Sequence, residues 1–124
     1  YLGYVNKDVL KQVYRRAHLL VVPSRSECMP LSVLEAQSCG LPVIGSKIPG
    51  ISDVVVNGKT GYLGNIGDVE GFVKAIRKYY RLWRDSPKVY YNMNRAIREH
   101  IIKNYEWNII IERLEAWMKK FTCK

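Results

Sequence analysis

Two glutamates, Glu27 and Glu35, stand with seven residues between them in the stretch PSRSECMPLSVLEAQSCGLPVIGS, residues Pro23 to Ser46. A helix is expected from about Leu31 to Cys39, so Glu27 precedes its start and Glu35 lies about four residues, or roughly 6 Å along the axis, inside it. The first N–H groups of a helix have no internal acceptor and the helix dipole is positive there, which makes the segment between the glutamates suited to an anion. Pro30 carries no N–H, leaving Cys28, Met29, Leu31 and Ser32 as donors. Ionised carboxylates only accept hydrogen bonds and repel phosphate, so the two glutamates suit hydroxyls. A ligand with a central anion and a polyol on either side answers to this arrangement, and a nucleotide-sugar has that form. The spacing alone is weak, since glutamates eight apart are common on helical surfaces, and a surface glutamate is the plainer reading of Glu35.

The elements that must position this loop follow from the apolar pattern. YLGYV (1–5) reads as a strand, and Asn6 as the N-cap of a helix over about 7–17 with Val9, Leu10, Val13, Tyr14 and Ala17 at helical spacing. HLLVV (18–22) is a continuous apolar run of the kind expected of a strand buried on both faces, and Pro23 ends it. Gly40 is placed to stop the helix, and LPVIG (41–45) reads as a further buried strand. NGKTG (57–61) is a turn, and Tyr62–Leu63 opens a short extended piece.

The remainder is helical. Residues 68–83 carry the stripe Val69, Phe72, Val73, Ile76, Tyr80 and Trp83. Ser86-Pro87 starts a helix running to about Tyr105, and the last helix carries Trp107, Ile110, Ile111, Leu114, Trp117, Met118 and Phe121, which reads most simply as core packing.

Alternating strands and helices imply an α/β fold with an open, doubly wound parallel sheet. About four strands are visible, so the sheet is small or incomplete. The chain is expected to form a single, partial domain, with a βα core over 1–66 and C-terminal helices over 67–124. In such sheets ligands sit beyond the carboxyl ends of the strands, which directs attention to loops 4–7, 23–30 and 45–50.

Bulk properties limit the alternatives. The 124 residues suit one small domain, and 48% hydrophobic with 25% charged is globular composition. No apolar run approaches the ~18 residues of a membrane span, and no leader pattern argues for secretion. The first residue is Tyr1, so the chain looks cut from a longer one, truncated on its N-terminal side. Cys28, Cys39 and Cys123 are an odd number without metal-ligand spacing. They fit a reducing compartment, hence the cytoplasm, and Cys39 reads as a small buried side chain near a helix end.

The net charge is +9, with seven basic and six acidic residues in 1–70 against thirteen and five in 71–124. The excess on the C-terminal helices is either a solvated face or a surface for anionic lipid or nucleic acid.

PSRSECMPLSVLEAQSCGLPVIGS…PGISDVVVNGKTGYL resembles the donor-binding domain of retaining glycosyltransferases with the GT-B fold, family 4, often called group 1. YLGYV…VYRRAHLLVVPS is similar to that family's lead-in and NYEWNIIIERL to its closing helices, so the resemblance covers nearly the whole chain. It implies a Rossmann-like half of a GT-B fold, moving a hexose from a nucleoside diphosphate sugar to an acceptor hydroxyl.

Carried over position by position, Glu27 matches the first glutamate of the E-x7-E motif, which contacts the donor sugar and is the expected catalytic glutamate. Glu35 matches the second, which holds the ribose hydroxyls. Met29, Leu31 and Ser32 match positions whose backbone amides meet sugar and diphosphate. Cys28 stands where the family often has glycine, either as a tolerated small residue or as one that narrows the sugar pocket. Val5 matches a strand-end position near the base, and His18 stands where aspartate is common.

The resemblance further implies a donor co-substrate with no other cofactor and no metal. The acceptor, a glycan or lipid-linked molecule, stays open. A missing N-terminal domain of the same chain and peripheral contact with the inner face of an anionic membrane complete the expected partners, with no nucleic acid among them. The rival readings are an epimerase or phosphorylase of the same fold, the latter needing a Schiff-base lysine that nothing marks Lys47 or Lys59 as, and a non-enzymatic basic binding module.

Overall fold

The computed structural model describes residues 1–122; Cys123 lies outside the described residues. In chain order the elements are α1 (Lys7–Arg16), β1 (Leu20–Val22), α2 (Leu31–Ser38), β2 (Val43–Ser46), α3 (Pro49–Val54), β3 (Gly61–Gly64), α4 (Val69–Asp85), α5 (Pro87–Tyr105) and α6 (Trp107–Thr122). The three strands form one sheet in the order β1-β2-β3, parallel throughout, with Leu20 opposite Val43 and Val43 opposite Gly61.

β2 is the centre, and every one of its residues is buried. Because side chains alternate across a strand, Val43 faces one layer and Ile44 the other. Val43 packs with Val33, Ala36, Ile51, Val54 and Ile101, so α2, α3 and α5 cover that face. Ile44 packs with Ala75 and Tyr79 of α4. Helices on both faces of a parallel sheet are the doubly wound arrangement expected from the alternation of elements.

The termination of α2 is specific. Cys39 is its cap, Gly40 follows at φ +84°, Gly40 N–H donates to the Gln37 carbonyl at 2.9 Å and Leu41 N–H to the Ala36 carbonyl at 3.0 Å. Any Cβ at position 40 would lie 2.8 Å from the Asn94 carbonyl of α5, so glycine is required both for the left-handed turn and for the approach of the two helices.

Several expectations are corrected. Residues 1–5 form no strand, and Tyr1, Leu2 and Tyr4 are exposed; a strand needs a neighbour to receive its backbone bonds, and none of the described strands pairs with this segment. The sheet accordingly has three strands rather than four. β1 is shorter than HLLVV and lies at the sheet edge, with Val21 37% exposed, so it is not buried on both faces.

The stripe of α6 is not core: Trp107, Leu114, Trp117 and Phe121 are all more than half exposed. On α4 the buried positions are Ala75 and Tyr79, whereas Val69, Val73, Ile76 and Tyr80 face outward. Cys39 is half-buried rather than sealed in the core. The short helix α3, begun by Pro49 at its first turn, takes in the end of the loop expected at 45–50. Among the described residues no helix is long and apolar enough to cross a membrane.

Candidate functional site

The loop between β1 and α2 leaves the carboxyl end of a parallel strand and enters a helix, the geometry in which ligands of open α/β sheets are held. Within it, the hydroxyl of Ser24 donates to Oε1 of the half-buried Glu27 at 3.1 Å. The Glu27 and Cys28 carbonyls lie against Gly50 of α3, and a Cβ on Gly50 would fall directly on the Cys28 carbonyl. Glycine at the start of α3 therefore forms the platform on which the Glu27–Cys28 peptide rests.

Pro30 caps α2 in an extended conformation without a side-chain bond, and its carbonyl accepts from the N–H groups of Val33 and Leu34 at 3.0 and 3.4 Å. The N–H groups of Leu31 and Ser32, the first two residues of α2, have no chain acceptor recorded among the described residues. They sit where the helix dipole is positive. Met29 and Leu31 are exposed, Ser32 is half-buried, and Cys28 is exposed. Among the described residues only glycines have a positive φ, so the backbone at Cys28 does not require the glycine common at that position.

Glu35 lies on the exposed side of α2, and the Tyr14 hydroxyl of α1 donates to its Oε2 at 3.4 Å. Burial, and then the neighbouring Glu35 carboxylate, raise the Tyr14 phenol above its ordinary pKa, which keeps it a neutral donor. The two glutamates are thus carried by separate supports, Glu27 by a loop seated on α3 and Glu35 by a helix flanked by α1. Ser24, Tyr14 and Gly50 are the site residues that the sequence reading lacked. A serine three residues before Glu27 was the only local signal, and the other two meet the site through contacts distant in sequence.

Val5 is half-buried in the irregular segment before Asn6 and does not stand at a strand end. Arg25 and Lys47, cations near the loop, are exposed, and Lys47 uses its backbone N–H to reach the Gly64 carbonyl at 2.7 Å. His18 is exposed, with its ring 4.3 Å from that of Trp83, and its backbone carbonyl accepts from the Tyr90 hydroxyl at 2.6 Å. Among the described residues, no three histidines, cysteines or carboxylates gather in a way that would hold a metal ion.

Comparison with known proteins identifies the family and the fold. The family model described as glycosyl transferases group 1 matches residues 1–118. The sulfoquinovosyl transferase SQD2 of Arabidopsis thaliana is 38% identical over 110 residues, covering 86% of this chain and 21% of that protein. A glycogen synthase of Mycobacterium tuberculosis is 30% identical over 110 residues, covering 89% and 26%. Among solved structures, sucrose-phosphate synthase from Thermosynechococcus elongatus superimposes with a TM-score of 0.80 at 26% identity, covering 99% of this chain and 30% of that one. TarM does so with a TM-score of 0.72 at 26% identity, covering 96% and 22%. The chain spans only about a fifth to a quarter of the length of these curated relatives.

Proposed function

The chain belongs to the glycosyl transferases group 1 family, and from that premise we propose that it is the donor-binding part of a retaining, family 4 glycosyltransferase of the GT-B fold. The whole protein moves a hexose from a nucleoside diphosphate sugar to an acceptor hydroxyl, glycan or lipid-linked. The bond between the anomeric carbon and the phosphate oxygen breaks, its electron pair leaves with the nucleoside diphosphate, and the acceptor oxygen bonds to the carbon as its proton passes to the departing diphosphate.

In this reading Glu27 accepts hydrogen bonds from the sugar hydroxyls beside the reacting carbon. Glu35 holds the ribose diol. The amides of Met29, Leu31 and Ser32, at the positive end of α2, receive the diphosphate where negative charge grows as the bond breaks. Cys28 lines the sugar side. Residues 1–66 carry the donor site and 67–124 form the supporting helices. The acceptor is held by a separate N-terminal domain of the same protein, and further cations for the diphosphate come from earlier strands and helices of the donor domain.

The observation that carries the proposal is the placement of Glu27 and Glu35 on either side of the free first amides of α2. Titration of the full-length protein with UDP-, GDP- and ADP-sugars tests it: saturable binding of one nucleotide class, weakened in both Glu27→Ala and Glu35→Ala, is expected, and wild-type donor kinetics in both variants overturn it.

An anionic membrane is the proposed peripheral partner. α4 presents Val73, Ile76 and Tyr80 outward beside Arg77, Lys78, Arg81 and Arg84, an exposed apolar stripe flanked by cations of the kind that lies on charged bilayers. Flotation with neutral and anionic vesicles at low salt distinguishes it, and equal recovery with both disposes of it.

A further inference from the structure

A groove of about 470 Å³ runs between α1, α2 and α5. Lys7, Lys11 and Arg15 line it from α1, four residues apart and therefore along one face of that helix. Arg98 reaches it from α5, and Glu35 and Tyr14 form part of its wall. All four cations are exposed, and the ion pairs recorded among the described residues, Lys74–Glu70 and Arg84–Asp85, involve none of them. Four positive charges converge from two elements on one concavity that offers a single carboxylate. A merely solvated basic face does not need to be concave, nor to draw its charges from helices so far apart in sequence. Leu10 and Leu34 give the groove an apolar side, and its volume falls in the range of small-molecule sites.

We propose that this groove is a second anion site, for a phosphorylated ligand whose phosphate groups meet Lys7, Lys11, Arg15 and Arg98. From Lys7 to Arg15 the helix advances roughly 12 Å, eight residues at 1.5 Å each, so the cation row is long enough for more than one phosphate group. The arginines supply planar forks for phosphate oxygens and the lysines point charges. The groove adjoins the proposed donor site at Glu35, which stands in its wall, but its four cations play no part in that reading.

The test uses the full-length protein and inorganic tripolyphosphate, which has neither base nor sugar, followed by calorimetric titration. Saturable binding that weakens steeply with salt is expected, as is a loss of at least about tenfold in Lys11→Gln/Arg15→Gln/Arg98→Gln, since each lost charged contact is worth about tenfold or more. These side chains are exposed, so the variant should fold; an unchanged melting temperature checks this, and the single variant Arg98→Gln, expected to lose part of the affinity, provides a second route. Donor-sugar binding should be unchanged in the triple variant, whereas Glu35→Gln should weaken donor binding and leave tripolyphosphate binding equal or tighter.

Vesicles containing phosphatidate form a parallel arm. Binding of both probes, both lost in the triple variant, assigns the ligand to a lipid headgroup; binding of tripolyphosphate alone assigns it to a free phosphorylated molecule. Absence of saturable binding, or affinity undiminished in the triple variant, overturns the proposal.

Discussion

Ser24 and Glu27 are joined by a 3.1 Å hydrogen bond within the loop that links β1 to α2, and that bond directs one carboxylate oxygen while leaving the other to a ligand. Glu35 has a comparable but longer support from Tyr14, at 3.4 Å. The glutamates are therefore expected to respond differently to substitution. Under the proposed donor reading, Glu27→Ala removes a contact beside the reacting carbon and should lower kcat as well as raise KM, whereas Glu35→Ala removes a remote ribose contact and should mainly raise KM. Each should cost about 1.5–3 kcal/mol of transition-state binding, read from steady-state kinetics of the full-length protein.

Ser24→Ala should fall between these variants and the wild type. It leaves the Glu27 carboxylate in place but unfastened, so kcat/KM should drop by about 0.5–1.5 kcal/mol with little change in melting temperature. Unaltered kinetics in Ser24→Ala would show that the loop holds Glu27 without the hydroxyl.

Gly50→Ala places a methyl group on the Cys28 carbonyl. The loop must shift, because the obstacle is backbone and not a flexible side-chain tip. Donor affinity should fall, and the melting temperature should fall as well, consistent with the roughly 1–3 kcal/mol typical of overpacking. Crystallography or amide chemical shifts of residues 27–32 would register the displacement.

Legibility of the fold followed how local each cause was. β2 could be read because a central strand is buried on both faces and appears as the unbroken run in LPVIG. α1 and the end of α2 could be read from Asn6, whose side chain accepts from the Val9 N–H at 2.9 Å, and from Gly40. The stripe on α6 was visible, but periodicity tells which residues share a face and not what lies opposite; here Trp117 is 58% exposed and Phe121 66%. YLGYV has strand composition without a described partner, and α3, with six residues, is too short to show a helical period. The two glutamates stood out through their spacing and surroundings. Their supports, Tyr14 twenty-one residues from Glu35 and Gly50 beneath Cys28, are products of chain folding that no local pattern records.

Tyr79 and Tyr90 supply a pH prediction. Burial raises both phenols above their ordinary pKa. A raised folded-state pKa gives stability that is complete below the unfolded value near 10 and disappears as pH climbs through the folded value. Melting temperature should therefore be flat through neutrality and fall above about pH 10, and Tyr79→Phe should reduce the steepness of that fall. Tyr90→Phe should also lose about 0.5–1.5 kcal/mol at neutral pH, because the His18 carbonyl then lacks its 2.6 Å donor.

The 124-residue chain on its own should associate through the outward stripe of α6. Large contiguous apolar surface is rarely left to water by a stable monomer. Sizing chromatography should show species larger than a monomer, reduced when Leu114 and Trp117 are replaced by serine; a clean monomer before and after substitution refutes it.

The contact of Gly40 with Asn94 ties the trailing end of α2 to the middle of α5. Since the leading end of α2 carries the free amides, the helix acts as a rod clamped at its base, and whatever loosens α5 also loosens the aim of those amides. Hydrogen exchange should reveal this as shared opening: protection of the α2 and α5 amides should rise together when a nucleotide is bound, although α5 itself begins more than fifty residues after Ser32.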